Sequence, residues 1–466
     1  MRKISLLCCS LALAAWCNAE VKMPAIFGDN MMLQQESKVK IWGNAKPNSK
    51  VSIKGSWGKS ATATADNDGK WTVRIETPSS GGPYTLQLSD GKPMLIKNVL
   101  IGEVWICSGQ SNMEMPVKGY PNQPVVNSNE YILQGQNPKI RLFTVKRNLQ
   151  SYPVDTLSGE WLEASPASVA NFSAAGYFFG LRVHQITNLP IGLIASSYGG
   201  SPVEAWMSRE ILTRDYSANH KLPESAADFM KAKNHYTPSV LFNGMIKPIL
   251  GYGIRGAIWY QGESNTSDCA LYEKTFPAMV ADWRALWGEG EFPFYYCQIA
   301  PYSRPFFPEM RDVQHRCLNL IPNSGMACLM DLGEELCIHP SQKKITGDRL
   351  ALWALAKTYG ISGITYCGPL FEKISYESNK AIVKFSEIGT GLTAFSKPIN
   401  SFEIADSDKV FYTANAIIGK EGTVVLSHPA VKKPAAVRYA FKAYADYNLL
   451  YNSAGLPAAS FRTDNW

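Results

Sequence analysis

The 466-residue chain has little charge. Asp, Glu, Lys and Arg make up 18% of it, and the formal balance at neutral pH is +7. Two of those charges are Arg2 and Lys3, and the remainder form no basic stripe, which argues against a nucleic-acid partner. Beyond residue 19, no apolar run reaches the ~20 residues of a membrane span. Ten cysteines are present, none at the Cys-x-x-Cys spacing of a zinc site, so no metal or cofactor is expected. Seven of them follow residue 19: Cys107, Cys269, Cys297, Cys317, Cys328, Cys337 and Cys367. An odd number cannot pair completely, although one or two bridges stay open. Several lie in apolar runs, where a thiol serves as a small core side chain. Histidine is scarce, at six residues, and there is no internal repeat or low-complexity tract.

Three textures follow one another along the chain. Residues 1–19 combine a basic start, an apolar stretch from Ile4 to Trp16 and a small-residue end, the pattern of a cleaved secretory leader. An exported protein, periplasmic or extracellular, is therefore expected. Cys17 does not suit lipid attachment, because bulky Trp16 precedes it. Residues 20–95 read as short strands, Ser37–Trp42, Ser49–Lys54, Ala61–Ala65, Trp71–Glu76 and Tyr84–Ser89, separated by turn signals at sandwich spacing. Residues 96–367 change to apolar runs at Val99–Cys107, Leu189–Ala195, Gly256–Tyr260, Phe294–Ile299 and Met326–Asp331. Helical patterns at Ser173–Thr187, Ala270–Trp287 and Ser341–Tyr359 alternate with them. That alternation predicts an α/β domain with a flavodoxin-like parallel sheet covered on both faces. Residues 368–466 return to β texture, at Ala381–Phe385, Ser401–Ile404, Lys409–Tyr412 and Gly422–Leu426, and close on an aromatic tail that suits a docked terminus.

In such a sheet the chemistry collects beyond the carboxyl ends of the strands. The unusual residues fall there: Ser111 after the first run, Tyr198-Gly-Gly200 after the second, Gln261-Gly-Glu-Ser-Asn265 after the third and His339 after the fifth. A serine hydroxyl becomes a nucleophile when a base takes its proton, and neutral imidazole is the usual base near pH 7. Of the six histidines, His184 and His315 lie in helical patterns, His220 and His235 in a polar connection, and His428 in the distal β region. Only His339 sits at a strand-to-helix junction, where the positive end of the next helix disfavours the imidazolium. Attack on an ester builds charge on oxygen, and the backbone amides of Ser111 and the Gly199-Gly200 turn are candidate donors, with a side-chain amide from Gln261 or Asn265. The serine lacks the second glycine of a Gly-x-Ser-x-Gly elbow. Gly251-Tyr-Gly-Ile-Arg-Gly256 mimics a dinucleotide motif but precedes its strand instead of following it.

Gly109-Gln-Ser-Asn-Met113, Trp259-Tyr-Gln-Gly-Glu-Ser-Asn265 and Ile338-His-Pro340 resemble the motif blocks of the sialate O-acetylesterases, carbohydrate esterases of the SGNH hydrolase superfamily. Further likeness lies in Ser197–Trp206, Leu241–Met245 and Gly455–Asp464, so that it spans essentially the whole mature chain. The resemblance implies an SGNH hydrolase domain between N-terminal and C-terminal β-sandwich domains. It also implies Ser111 as nucleophile, His339 as base, and an oxyanion hole of the Ser111 and Gly200 amides with the Gln261 side chain. The aspartate that SGNH enzymes carry two or three residues before the histidine is replaced here by Leu336 and Cys337. Glu335, Glu334 or Asp331 could then orient the ring, as could a backbone carbonyl. The expected substrate is an O-acetylated sugar, sialic acid by the resemblance, with acetylated xylan or another plant glycan compatible. Asn112, Asn265, Tyr198 and Trp206 are candidate substrate contacts, and Arg304 or Arg311 a partner for a carboxylate. A glycan-binding protein with an inert hydrolase core is the non-enzyme reading.

Overall fold

The computed structural model describes residues 21–466 except 221, 223, 224, 232 and 233, so the leader expected at 1–19 lies outside the described residues. The spine of the molecule is one 17-residue strand, Pro93–Gly109. Up to Asn98 its residues are mostly exposed or half-buried, and from Val99 onward every one is buried. Its first half runs antiparallel to Gly81–Ser89, and Met32–Gln34 lies parallel to residues 100–102. Its second half pairs in parallel with Ile191–Ser197 on one side and Gly256–Tyr260 on the other. The switch follows the sequence, since Val99-Leu-Ile-Gly-Glu-Val-Trp-Ile-Cys107 is a near-continuous apolar run of the kind a sheet buried on both faces requires. The division expected at 95/96 therefore falls inside a single strand.

The large sheet runs in the order Ser324–Ala327, Phe294–Cys297, Gly256–Tyr260, Pro93–Gly109, Ile191–Ser197, Asn137–Thr144, Trp161–Ala164. All of these pairings are parallel except the last. The five runs read from the sequence are consecutive in it, from the edge strand Ser324–Ala327 to Ile191–Ser197, in flavodoxin-like order. The strand Asn137–Thr144 was not anticipated, because Lys139 and Arg141 interrupt its apolar pattern. Arg141 is nonetheless buried, its guanidinium held by Pro138 O and Asn98 Oδ1.

The helices stand close to where the periodicity put them, at Ala174–Thr187, Cys269–Trp287 and Lys343–Trp353, the last continued by a π turn to Thr358. The first and third pack together through Gly347, where a methyl group would come within 2.6 Å of Phe178 Cβ and 2.7 Å of Phe179 N. At the C-terminal side stand two four-stranded sheets, Leu370–Glu377/Lys380–Ser386/Thr423–Ser427/Asn415–Ile418 and Phe411–Thr413/Phe402–Ala405/Ala436–Tyr439/Phe461–Arg462, the second packed through its last strand on the helix Phe307–Cys317. Arg311 fastens this second sheet to the α/β core. It is fully buried, and its guanidinium donates to the carbonyls of Ala440 and Lys442, so it is not the carboxylate partner considered above. The tail is docked, with Phe461 buried and Asp464 paired to Arg438. All seven described cysteines are unpaired thiols.

Candidate active site

The spine strand stops at Gly109, whose φ of +137° and close approach to the neighbouring strand exclude a side chain: a Cβ there would sit 2.2 Å from Tyr260 O. Gln110 continues the contact through its amide to Tyr260 O, and its side-chain oxygen accepts from Gly262 N and Ser264 N. The short helix Ser111–Glu114 follows, placing Ser111 at the carboxyl edge of the central strand. Ser173 braces this turn from behind: it caps the helix Ala174–Thr187 and donates to Met113 O at 2.5 Å.

His339 reaches the same edge. Its Nε2 lies 2.7 Å from Ser111 Oγ, although the two residues are 228 positions apart. Its Nδ1 is hydrogen-bonded to Gln123 Oε1. An amide oxygen can only accept, so Nδ1 carries the proton and Nε2 is left with the lone pair that receives the serine hydroxyl. Gln123 is held by a tight hairpin in which Tyr120 N and Gln123 N each bond the other residue's carbonyl at 3.0 Å, and Val126 N ties this loop to Ser341 O. Tyr120 stands edge-on to the imidazole, with ring centroids 5.5 Å apart. Burial first, and the nearby Lys343 ammonium second, push the His339 pKa down to about 4, so the ring is a neutral base at physiological pH.

On the other side of Ser111 lies the Gly199-Gly200 turn. A Cβ on Gly199 would come within 3.4 Å of Ser111 Cβ. The Gly199 amide is committed to Glu114 Oε2 at 2.8 Å, whereas the amides of Ser111 and Gly200 bond no acceptor among the described residues. Glu114 also grips Arg147 through two contacts of 2.7 Å, and the guanidinium covers the Tyr198 ring at 4.4 Å. His235 stacks on the same ring, its centroid 5.1 Å away.

Comparison with known proteins fits this arrangement. Residues 101–351 match the family model described as carbohydrate esterase, sialic acid-specific acetylesterase. The chain belongs to this family. It is 30% identical over 406 residues to the sialate O-acetylesterase of Homo sapiens, covering 78% of this chain and 76% of that one. The Rattus norvegicus sialate O-acetylesterase is 29% identical over 511 aligned positions, covering 94% of this chain and 93% of that one. Among solved structures, a carbohydrate acetylesterase from Xanthomonas citri superimposes with a TM-score of 0.87 at 32% identity, over 96% of this chain and 100% of that one.

Several residues expected in the site of this esterase have other work. Asp331 is consumed by a two-point contact with Arg349, at 2.6 and 2.7 Å. Glu335 is exposed and engages Ser303 N through its backbone carbonyl, while Glu334 caps Ser341 N. The place expected for an acid next to His339 is thus held by the neutral Gln123, which no sequence spacing pointed to. Gln261 is completely buried, and both of its amide hydrogens are used, on Ser201 O and Asn265 Oδ1. Turning the amide over would face its oxygen to two acceptors, so it has no hydrogen left for an oxyanion. Asn265 is likewise structural: it accepts from Val203 N and donates to both oxygens of Glu204. Trp206 is core, its indole nitrogen on Ser201 Oγ and its carbonyl accepting from Trp283. Arg304 is exposed and lies over Tyr302, in a loop bonded to the C-terminal region through Ala443 O. Asn112 is 1% exposed, and its side chain is taken up by Glu263, the Ile338 carbonyl and Lys343. Of Asn112, Asn265, Tyr198 and Trp206, Tyr198 alone is not buried.

Proposed function

We propose that this carbohydrate esterase removes O-acetyl groups from a sugar through an acetyl-serine intermediate, with Ser111 as nucleophile and His339 as general base, and that the sugar is a sialic acid. The observation that carries the reading is the 2.7 Å contact between Ser111 Oγ and Nε2 of His339 at the carboxyl edge of the parallel sheet. Ser111 Oγ bonds to the acetyl carbonyl carbon while its proton passes to Nε2. Gln123 keeps the Nδ1 proton in place and so fixes which nitrogen receives it. The Ser111 and Gly200 amides, left without protein acceptors, take the developing oxyanion. Collapse breaks the bond to the sugar oxygen, which leaves as a hydroxyl with the proton from Nε2. Water then attacks the acetyl-serine as Nε2 takes its proton. The second collapse returns that proton to Ser111 Oγ and frees acetate.

The sialate assignment draws on the relatives' names. A neutral acetylated sugar, such as a plant glycan, is a second reading favoured by one observation: Arg147, the cation beside Tyr198, is already neutralised by Glu114. We also read residues 20–95 and 368–466 as sandwich domains, supported by the strands paired there, and the chain as an exported protein, supported by its leader pattern.

Acetate release from O-acetylated sialosides and from acetylated xylo-oligosaccharides, compared for wild type and Ser111→Ala, tests both parts. Wild type releases acetate, and the alanine variant is slower by roughly 10⁴-fold or more. An alanine variant as fast as wild type would overturn the nucleophile; a wild type active on the xylo-oligosaccharides alone would overturn sialate.

A further inference from the structure

Lys343 opens the helix Lys343–Trp353, yet it is 0% exposed. A buried ammonium is costly unless partnered. Its Nζ donates to Asn112 Oδ1, and it lies 5.4 Å from the centroid of the Tyr260 ring. Asn112 follows the nucleophile in the chain, and its Nδ2 is shared between Glu263 Oε1 at 2.6 Å and the carbonyl of Ile338 at 3.0 Å. Ile338 immediately precedes the base. One amide therefore touches a cation at its oxygen and both a carboxylate and the histidine loop at its nitrogen.

We propose that Lys343 is a positioning residue: by anchoring the Asn112 amide at its oxygen, it clamps the loop carrying His339 onto the turn carrying Ser111. An asparagine amide has two nearly isosteric orientations. Here Lys343, Glu263 and the Ile338 carbonyl together select the one with oxygen toward the ammonium and Nδ2 toward Ile338 O. Without the ammonium, Asn112 Oδ1 is left buried with no donor while only Glu263 and the Ile338 carbonyl hold Nδ2, so the tie between the two segments loses the contact that pins it from the oxygen side. The proposal rests on the Ser111–His339 reading given above.

The same ammonium acts on the ring by its charge. Ser111, Gln123 and Tyr120 face the imidazole, and none is charged at neutral pH. Around Lys343 stand Glu263, Glu334, Cys297 and Cys337, and burial outweighs them in pulling its own pKa down to about 8. While protonated, Lys343 opposes a second positive charge on His339, in line with the depressed histidine pKa.

The test is kcat and KM against pH, with p-nitrophenyl acetate, for Lys343→Met and Lys343→Gln. The methionine variant loses both donor and charge; the glutamine variant keeps a donor and loses the charge. In both, the acidic limb of kcat/KM moves up by roughly one pH unit. In Lys343→Met, kcat also falls by about tenfold or more with KM little changed. A folded variant of either kind whose acidic limb stays where wild type has it would overturn the proposal, as would a loss confined to KM. Ser111→Ala is measured alongside: persistent activity there sinks the nucleophile assignment, whereas an inactive alanine variant with unmoved Lys343 limbs sinks only the positioning role.

Discussion

Two polar networks lie under the carboxyl edge of the sheet, and both draw on the stretch Gln261–Asn265. In one, Glu263 joins Asn112, Lys343 and the Ile338 carbonyl. In the other, Gln261 and Asn265 join Ser201 O, Val203 N and Glu204. The first connects the nucleophile's turn to the base's loop. The second closes on itself and shapes the connection from Gly200 to Trp206 without reaching His339. Two asparagines that look equivalent in the motif blocks thus have different tasks: Asn112 bears on the geometry of catalysis, and Asn265 on the stability of the wall beside it. A motif marks that a side chain is needed, and only its partners show what for.

Paired alanine substitutions break or sharpen this contrast. Asn112→Ala removes the link between the Ser111 turn and Ile338, and kcat is expected to fall by about 10²-fold, since small displacements of reacting groups are that costly. Asn265→Ala leaves Val203 N and the Glu204 carboxylate without their partner, a loss of about 3 kcal/mol in stability. Its kcat per folded molecule should stay within about threefold of wild type. Thermal unfolding and steady-state kinetics on the two proteins decide between the networks. Equal losses of kcat in both, with unchanged Tm, would dissolve the distinction.

Much of this architecture was legible beforehand. Apolar runs and helical periods put five of the parallel strands and three helices close to their places, and the rule that chemistry gathers beyond strand ends selected Ser111 and His339. What escaped reading depended on contacts between distant segments. Gln123 lies in a polar turn 216 residues from the ring it holds, with no periodicity to mark it. Lys343, read from sequence, is an ordinary cation in the first turn of a helix; only the packed structure shows it sealed under the Ser111 turn. Asp331 and Glu335 were considered because they precede the histidine closely, but a loop's course is set by its anchors. Asp331 turns to Arg349 and Glu335 to solvent. Trp206 and Gln261 failed as substrate and oxyanion contacts for a related reason, since an aromatic or amide near a motif block is as useful inside the wall as on its surface.

The weakest expected effect sharpens the contrast from the ring's other side. Gln123 orients the imidazole with a neutral oxygen, whereas a carboxylate in its place would orient it and also stabilise the imidazolium. In wild type, with His339 at about 4, kcat/KM should remain flat through neutral pH and fall tenfold per pH unit below about 4. In Gln123→Glu the added negative charge raises the histidine pKa, so the acidic limb moves up by roughly one to two pH units. At neutral pH, kcat should change by less than about tenfold, because the tautomer and the Ser111 contact are preserved. The shift has the same sign as that expected for Lys343→Met but a different cause, and the two should add when combined if charge alone sets the limb. A double variant shifted no further than either single one would mean that Lys343 and Gln123 act through one shared displacement of the histidine loop.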